Sequence, residues 1–149
     1  MNHLIIGNQK YSSWSLRPWL VLKEFGIEFK ETKIYLYKEQ SKQQILKYSP
    51  SGKVPALLYS QPNKDDLVIW DSLAICEFLA EQYPTKHLWP EDKYLRAQAR
   101  AVSHEMHSGF HAIRNELPMN CNTHITLNHL SDELQADIQR IGEIWQSLR

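Results

Sequence analysis

The sequence predicts an α/β domain with a four-stranded mixed sheet, followed by an all-helical region. Strand-like apolar runs and helical patterns alternate over residues 1–83. Residues 84–92 contain two prolines and several polar side chains, which is typical of a linker. Only helical patterns follow, over residues 93–149. We expect this second domain to be incomplete, because two helices do not make a convincing bundle by themselves.

The first elements are predicted to be a strand, a helix and a second strand. The apolar run HLIIG (3–7) predicts the first strand. Apolar residues at helical steps between Leu16 and Phe25 predict an amphipathic helix that ends at Gly26. Because Pro18 lacks an N–H group, this helix is expected to be capped at Ser15 or later. The segment EFKETKIYLY (28–37) is then expected to form a strand parallel to the first.

The remaining elements of the first domain are a short helix, a hairpin and a long helix. KEQSKQQILKYSP (38–50) predicts the short polar helix, which stops before its proline. VPALLYS (54–60) and LVIW (67–70) predict an antiparallel hairpin, and statistics for X–Pro bonds predict a trans Val54–Pro55 peptide. DSLAICEFLAEQY (71–83) predicts a helix capped by Asp71 or Ser72.

The second region is predicted to contain two long helices. One is expected from Asp92 to about Asn115 and the other from Ser131 to Arg149. The segment LPMNCNTHITLNH (117–129) between them is expected to be irregular.

Composition excludes several classes of protein. The 149 residues include 17 basic and 17 acidic side chains, so the chain lacks the basic excess of a nucleic-acid-binding protein. No apolar run is long enough to cross a membrane, and MNHLIIG is too short for a signal peptide. We therefore expect a cytoplasmic protein. Cys76 and Cys121 are too far apart for a dithiol motif, and Cys76 is expected to be a small buried apolar residue.

The stretch QKYSSWSLRPWL (9–20) is unusually rich in hydroxyl groups. It places Ser12 and Ser13 just ahead of the predicted helix, whose N-terminus carries about half a positive charge. Such a place suits an anion, and a thiolate is one. A serine hydroxyl can donate a hydrogen bond to the sulfur and lower the pKa of the thiol. The alternative interpretation is ordinary helix capping by a serine-rich turn.

A second candidate binding site lies in WDSLAI (70–75). Ser72 and the N–H groups at the start of the helix could hold a ligand carboxylate, and Asp71 could pair with an amine. Simple N-capping is the alternative for both residues.

Three histidines of the second region are candidate metal ligands. His104, His107 and His111 follow at steps of three and four, which predicts one helical face. The sequence HEMH does not match the HExxH zinc motif, and no further ligands complete a shell. We therefore predict a polar stripe and no metal site.

Three motifs together resemble a known family. YSSWSLRP (11–18), SGKVPAL (51–57) and WDSLAICEFLAEQYP (70–84) occur in the order and at the spacing found in the thioredoxin-like N-terminal domain of cytosolic glutathione transferases. The similarity is greatest to serine-type bacterial enzymes related to the zeta class, which includes maleylacetoacetate isomerases. RAQARAVSHEMHSGFHAIRNELPMN (96–120) resembles the start of the family's helical C-terminal domain.

The resemblance implies roles for individual residues. Ser12 matches the serine that binds the glutathione thiolate, with Ser13 as the second catalytic candidate. Pro55 matches a cis-proline that presents the backbone of Val54 to glutathione. The implied glutathione-binding residues are Lys53, Val54, Pro55, Asp71 and Ser72.

The resemblance also implies a site for the electrophile on the first helix of the second domain. Met106, Phe110 and Arg114 would line it, although core packing is the favoured explanation for the spacing of Met106 and Phe110. Trp14 stands where the zeta motif has a cysteine. The resemblance also implies a start of the first helix nearer Ser13 than the proline argument predicts.

The function expected from the resemblance is conjugation of glutathione to small hydrophobic electrophiles. Glutathione would be the co-substrate, and no metal would be needed. The alternatives are maleylacetoacetate-type cis–trans isomerisation and a non-catalytic glutathione-binding module. The family also leads us to expect a homodimer.

Overall fold

The computed structural model describes residues 1–149, which divide into two compact units, Met1–Pro90 and Glu91–Arg149. No helix is long and apolar enough to span a membrane. The elements of the first unit are β1 (Asn2–Ile6), α1 (Ser13–Glu24), β2 (Phe29–Lys33), α2 (Ser41–Leu46), β3 (Ala56–Tyr59), β4 (Leu67–Trp70) and α3 (Ser72–Gln82). A short 3-10 turn, Pro84–Lys86, follows α3.

The sheet has the predicted mixed topology. Its strand order is β2-β1-β3-β4, with β1 parallel to β2 and β3 antiparallel to both of its neighbours. The parallel crossover through α1 and the antiparallel hairpin are thus confirmed, and with them the thioredoxin-like fold.

The register brings three chain segments to one edge of the sheet. Ile5 near the end of β1 pairs with Ala56 at the start of β3, and Ala56 also pairs with Trp70 at the end of β4. The segments that leave β1, enter β3 and leave β4 therefore meet at this edge.

The sheet separates two apolar clusters, because successive side chains of a strand point to opposite faces. On one face Leu4 and Ile6 pack with buried residues of α1 and α3, such as Leu22 and Leu79. On the other face Ile5 packs in a cluster with Ile45 of α2. This central strand is buried on both faces, which explains its uninterrupted apolar sequence.

Helix α1 begins earlier than the proline argument predicts. It starts at Ser13, so Pro18 is its sixth residue and is fully buried. The prediction of a cap at Ser15 or later is therefore wrong: burial of the ring outweighs the one helical hydrogen bond that the proline removes. The predicted end is confirmed, since Gly26 has φ +59° and the N–H group of Ile27 donates to the carbonyl of Leu22 at 2.9 Å.

The second unit is all-helical, with α4 (Lys93–Ser108), α5 (His111–Glu116) and α6 (Asp132–Ser147). Residues 117–129 between α5 and α6 form no helix or strand, as predicted.

Arg140 of α6 makes a double hydrogen bond to Glu105 of α4, with Nε–Oε1 and Nη2–Oε2 distances of 2.6 and 3.0 Å. These bonds hold the pKa of the Glu105 carboxyl below its usual value.

The prediction of one helix from Asp92 to about Asn115 is wrong. The chain breaks at Gly109, and Phe110 adopts a left-handed conformation with φ +60°. A Cβ atom at position 109 would lie 3.0 Å from the carbonyl oxygen of Glu105, so a larger residue would crowd the end of α4. The Arg114 guanidinium donates to the carbonyls of Met106 and Gly109, which satisfies acceptors that the break exposes.

One titratable side chain lies partly inside the first unit. His3 of β1 places Nε2 2.8 Å from Oγ1 of Thr32, and its ring meets Tyr48 edge-on with centroids 6.1 Å apart. Burial, and then the positive charge of Lys30, lower the pKa of His3, while Asp66 acts in the opposite direction.

The lowered pKa of His3 predicts a loss of stability in mild acid. The unfolded chain binds a proton at about pH 6.5, before the folded chain does, so the free energy of unfolding should fall as the pH drops below that value. Urea unfolding at about pH 7.5 and about pH 5.5 should show a smaller loss in His3→Gln than in the unmodified chain. His124→Gln, at an exposed position, serves as the control and should keep the full loss. Equal losses in all three chains would contradict this account.

Candidate active site

The loop between β1 and α1 is held in place by Asn8. Its carbonyl oxygen accepts hydrogen bonds from the N–H groups of Tyr11 and Ser12, at 3.3 and 2.8 Å. Its side-chain oxygen accepts from the N–H group of Leu36 at 2.7 Å. No sequence motif singled out Asn8, although asparagine after a strand is a common turn signal.

Ser12 occupies the N-cap position of α1 but makes no capping bond. It is only 7% exposed, and its hydroxyl donates to Oγ of Ser15 at 2.8 Å. Ser15 Oγ also accepts from the N–H group of Gly7 at 3.0 Å. Ordinary capping therefore does not account for Ser12. Ser13 is the half-buried first residue of the helix.

Close approach of the loop to β1 requires glycine at position 7. A Cβ atom there would lie 3.1 Å from Cβ of Ser12 and 2.7 Å from Cδ1 of Leu36. Because Gly7 lacks this atom, Ser12 and Ser15 can both lie close to the end of β1.

The Val54–Pro55 bond lies at the same edge of the sheet, immediately before β3. It is cis, so the prediction from X–Pro statistics is wrong, while the resemblance to the family implied the cis form. Val54 is half-buried and packs against the apolar cluster that contains Ile5 and Ile45. Lys53 is exposed, and its N–H group donates to Oγ of Ser51 at 3.2 Å.

The turn from β4 into α3 contains Asp71 and Ser72. Asp71 has φ +77°, a region that non-glycine residues rarely occupy. Its Oδ1 atom accepts from the N–H groups of Leu73 and Ala74 at 2.9 and 3.2 Å, so Asp71 is the cap of the helix. This confirms the capping prediction for Asp71 and assigns Ser72 to the first helical position.

Ser72 has a buried hydroxyl group with no hydrogen-bond partner. The residue is 1% exposed, and its Oγ atom makes no bond within the chain. An unsatisfied buried polar group costs about 1–3 kcal/mol. Such groups are rare in folded proteins, and the N–H groups at the start of a helix favour negative charge nearby.

A cavity of about 380 Å³ adjoins Ser12 within the first unit. Two of the side chains at its wall are fixed by Glu31 of β2, which accepts from Nε2 of Gln9 at 3.1 Å and from Nε1 of Trp19 at 2.8 Å. The wall is mainly apolar but includes hydroxyl and amide groups; it consists of Ile6, Gln9, Ser12, Ser15, Leu16 and Trp19.

The predicted electrophile-binding residues of the second unit do not share one helix. Met106 belongs to α4, Phe110 lies at the break, and Arg114 belongs to α5. The expected alignment of Met106 and Phe110 on one helical face is therefore wrong. Phe110 is buried, and the Arg114 side chain contacts the end of α4 through its bonds to the carbonyls of Met106 and Gly109.

The same break separates the three histidines. His104 and His107 lie on α4 and His111 on α5, so the predicted common face is wrong. No three His, Cys, Asp or Glu side chains are grouped so that they could hold a metal ion.

Cys76 is half-buried on α3. Burial raises the pKa of its thiol to about 11, against the weaker opposing effect of the Arg17 charge. The thiol is therefore protonated at neutral pH and is a poor nucleophile.

Comparison with known proteins identifies the first unit. Residues 11–82 match the family model described as the N-terminal domain of glutathione S-transferase. The chain is 37% identical over 103 residues to a probable maleylacetoacetate isomerase of Caenorhabditis elegans, an alignment that covers 69% of this chain and 45% of that protein. The chain spans about half the length of the curated relatives it matches.

Solved structures agree with this match. A glutathione transferase homologue from Burkholderia, with bound glutathione, superposes with a TM-score of 0.60 and 26% identity, over 76% of this chain and 57% of that chain. Glutathione transferase Omega 2S from Trametes versicolor superposes with a TM-score of 0.72 over 96% of this chain and 62% of its own. At 19% identity, the second comparison supports the fold alone.

Proposed function

Because this chain belongs to the glutathione S-transferase family and is related to its zeta class, we propose that it conjugates glutathione to small hydrophobic electrophiles. The observation that carries the proposal is the unpartnered, buried Ser72 hydroxyl, which lies at the sheet edge where Ser12 and cis-Pro55 also lie. This edge offers groups suited to the cysteinyl sulfur and to the γ-glutamyl end of the tripeptide.

Ser12 is the proposed site for the sulfur of glutathione. Its hydroxyl would donate a hydrogen bond to the thiolate, and the N-terminus of α1 would add a partial positive charge. Lowering the pKa of a thiol from about 8.5 to about 6.5 requires roughly 2.7 kcal/mol, which one charge-assisted bond and the helix dipole can supply.

The turn before α3 is the proposed site for the γ-glutamyl group. The Ser72 hydroxyl would donate to the ligand carboxylate, and the carboxylate of Asp71 would face its amine. The backbone of Val54 would pair with the cysteinyl residue, whose sulfur faces Ser12, in the manner of an added strand. The Lys53 side chain is exposed next to this segment, where it could approach the second ligand carboxylate.

Conjugation then needs no further cofactor. The thiol loses its proton to solvent, the thiolate forms a bond to the electrophilic carbon, and the leaving group departs with its electron pair. The chain contributes orientation and electrostatic stabilisation of the sulfur anion. The cavity beside Ser12 would hold the apolar part of the electrophile. Met106, Phe110 and Arg114 of the second unit remain predicted electrophile-binding residues.

Glutathione-dependent cis–trans isomerisation is the second candidate function. It is favoured by the 37% identity to the probable maleylacetoacetate isomerase. In this reaction the thiolate adds to the double bond, the resulting single bond rotates, and glutathione is released unchanged. Position 14, which is a cysteine in the zeta motif, is a tryptophan in this chain. The Arg17 guanidinium lies 4.3 Å from the centre of the Trp14 ring. This difference makes conjugation our first choice.

The family resemblance extends the proposal to assembly and location. We expect a cytoplasmic homodimer, which light scattering should detect as twice the mass of the chain.

Three assays on the purified chain test the proposal. We expect retention on immobilised glutathione, elution by free glutathione, and conjugation of a chromogenic aryl halide. Isomerisation of a maleyl substrate without conjugation would favour the second candidate. Retention without either reaction would indicate a binding module, and absence of retention would refute the glutathione site.

A further inference from the structure

We infer that Ser15 is a positioning residue for the proposed reaction, because it can return a hydrogen bond to Ser12 when Ser12 turns toward a bound thiolate. The inference rests on the proposed function and extends it to a residue outside the implied family site.

Ser15 is built into the end of β1 more tightly than a surface helix residue would be. It is 2% exposed, and its Oγ atom accepts hydrogen bonds from the Gly7 N–H group at 3.0 Å and from the Ser12 hydroxyl at 2.8 Å. The bond from Gly7 comes from the backbone and fixes the position of the Ser15 oxygen. Ser15 therefore holds the hydroxyl of Ser12 in a defined place before any ligand binds.

The direction of this bond has a consequence for the chemistry. A serine hydroxyl carries one hydrogen, and that of Ser12 is directed toward Ser15. When Ser12 donates to sulfur instead, the Ser15 oxygen loses this donor, and the buried contact between the two hydroxyl groups keeps a hydrogen bond only if Ser15 donates in turn. Ser15 carries a hydrogen of its own and lies within hydrogen-bond distance, so it can rotate and donate to Ser12 Oγ.

The liganded arrangement would thus be a chain of four groups. The Gly7 N–H group donates to Ser15, Ser15 donates to Ser12, and Ser12 donates to the thiolate. Only two hydroxyl rotations are required, and the thiol proton leaves to solvent. Successive hydrogen bonds polarise one another, so donation by Ser15 strengthens the bond from Ser12 to sulfur.

The pH at which bound glutathione ionises tests this inference. We expect Ser15→Ala to raise the midpoint of the ultraviolet thiolate titration by about half to one pH unit, the effect of one ordinary hydrogen bond. The KM for glutathione should change by less than about twofold, because Ser15 would act through Ser12 and is not among the proposed contacts of the peptide. Ser15→Cys, which keeps the size but donates weakly, should raise the midpoint as well. Ser15→Thr, which keeps the hydroxyl group, should have the midpoint of the unmodified chain.

A matched control is Ser103→Ala, which removes a half-buried helical hydroxyl bonded to the Ala99 carbonyl in the second unit. It should leave the midpoint unchanged. Unchanged midpoints in both Ser15→Ala and Ser15→Cys would overturn the inference and leave Ser15 a structural role. Should Ser15→Ala not fold, Ser15→Cys and Ser15→Thr decide the question. If the unmodified chain binds no glutathione thiolate, the proposed function itself fails.

Discussion

Replacement of Ser12 by alanine is expected to lower kcat/KM for conjugation by about 100-fold, the usual effect of removing one preorganised donor to an anion. The Ser12 hydroxyl is buried at the start of α1 and makes no capping bond, so its loss should affect the sulfur more than the helix. The effect should appear mainly in kcat, with a smaller change in KM for glutathione. Steady-state rates with a chromogenic aryl halide measure both.

Ser13→Ala distinguishes the two candidate hydroxyl groups. We expect a much smaller loss than for Ser12→Ala, because Ser13 lies outside the chain of bonds from Gly7 to Ser12. A larger loss at Ser13 than at Ser12 would transfer the catalytic role to Ser13. Full activity in Ser12→Ala would contradict the assignment.

Replacement of Ser72 by alanine should change stability and affinity in opposite directions. In the unliganded chain it removes a buried hydroxyl that has no partner, so the free energy of unfolding should rise by about 1 kcal/mol. The affinity for glutathione should fall at least about tenfold, because a hydrogen bond to the ligand carboxylate is lost. Urea unfolding and calorimetric titration with glutathione provide the two measurements.

Ser41→Ala is the matched control for this prediction. Ser41 is also buried, but its hydroxyl donates to the Tyr35 carbonyl at 2.7 Å and accepts from the Lys38 N–H group at 2.8 Å. Its removal should reduce stability and leave glutathione affinity unchanged. If Ser72→Ala instead lowers stability and binds glutathione normally, the hydroxyl has a structural partner and no ligand role.

Local patterns were sufficient to predict the sheet and its connections. The apolar run before Gly7 is central because both of its faces are buried, and the helix that follows stops where Gly26 takes a positive φ. These features depend on nearby residues, so they can be inferred without knowledge of the tertiary structure.

The errors in the predicted fold arise where tertiary contacts outweigh local preferences. Pro18 is tolerated inside α1 because its ring is buried in the core. The long helix predicted up to Asn115 breaks at Gly109, where Arg114 satisfies the exposed carbonyls from the following helix. Periodicity cannot report either contact.

The residues of the candidate site likewise include some that local sequence could predict and some that it could not. Ser12, Ser13, Asp71 and Ser72 could be singled out because hydroxyl and carboxyl groups precede helices, and the family resemblance added the cis bond before Pro55. Gly7, Asn8 and Glu31 were missed. Their roles consist of hydrogen bonds or close contacts between separate elements, which no local motif encodes.

Ionisation of glutathione bound to the unmodified chain tests the central claim most directly. Ultraviolet difference spectra recorded against pH should show thiolate absorbance with a midpoint near pH 6.5, about two units below that of a free thiol. A midpoint equal to that of free glutathione, with the peptide demonstrably bound, would contradict the claim that this chain activates the thiol.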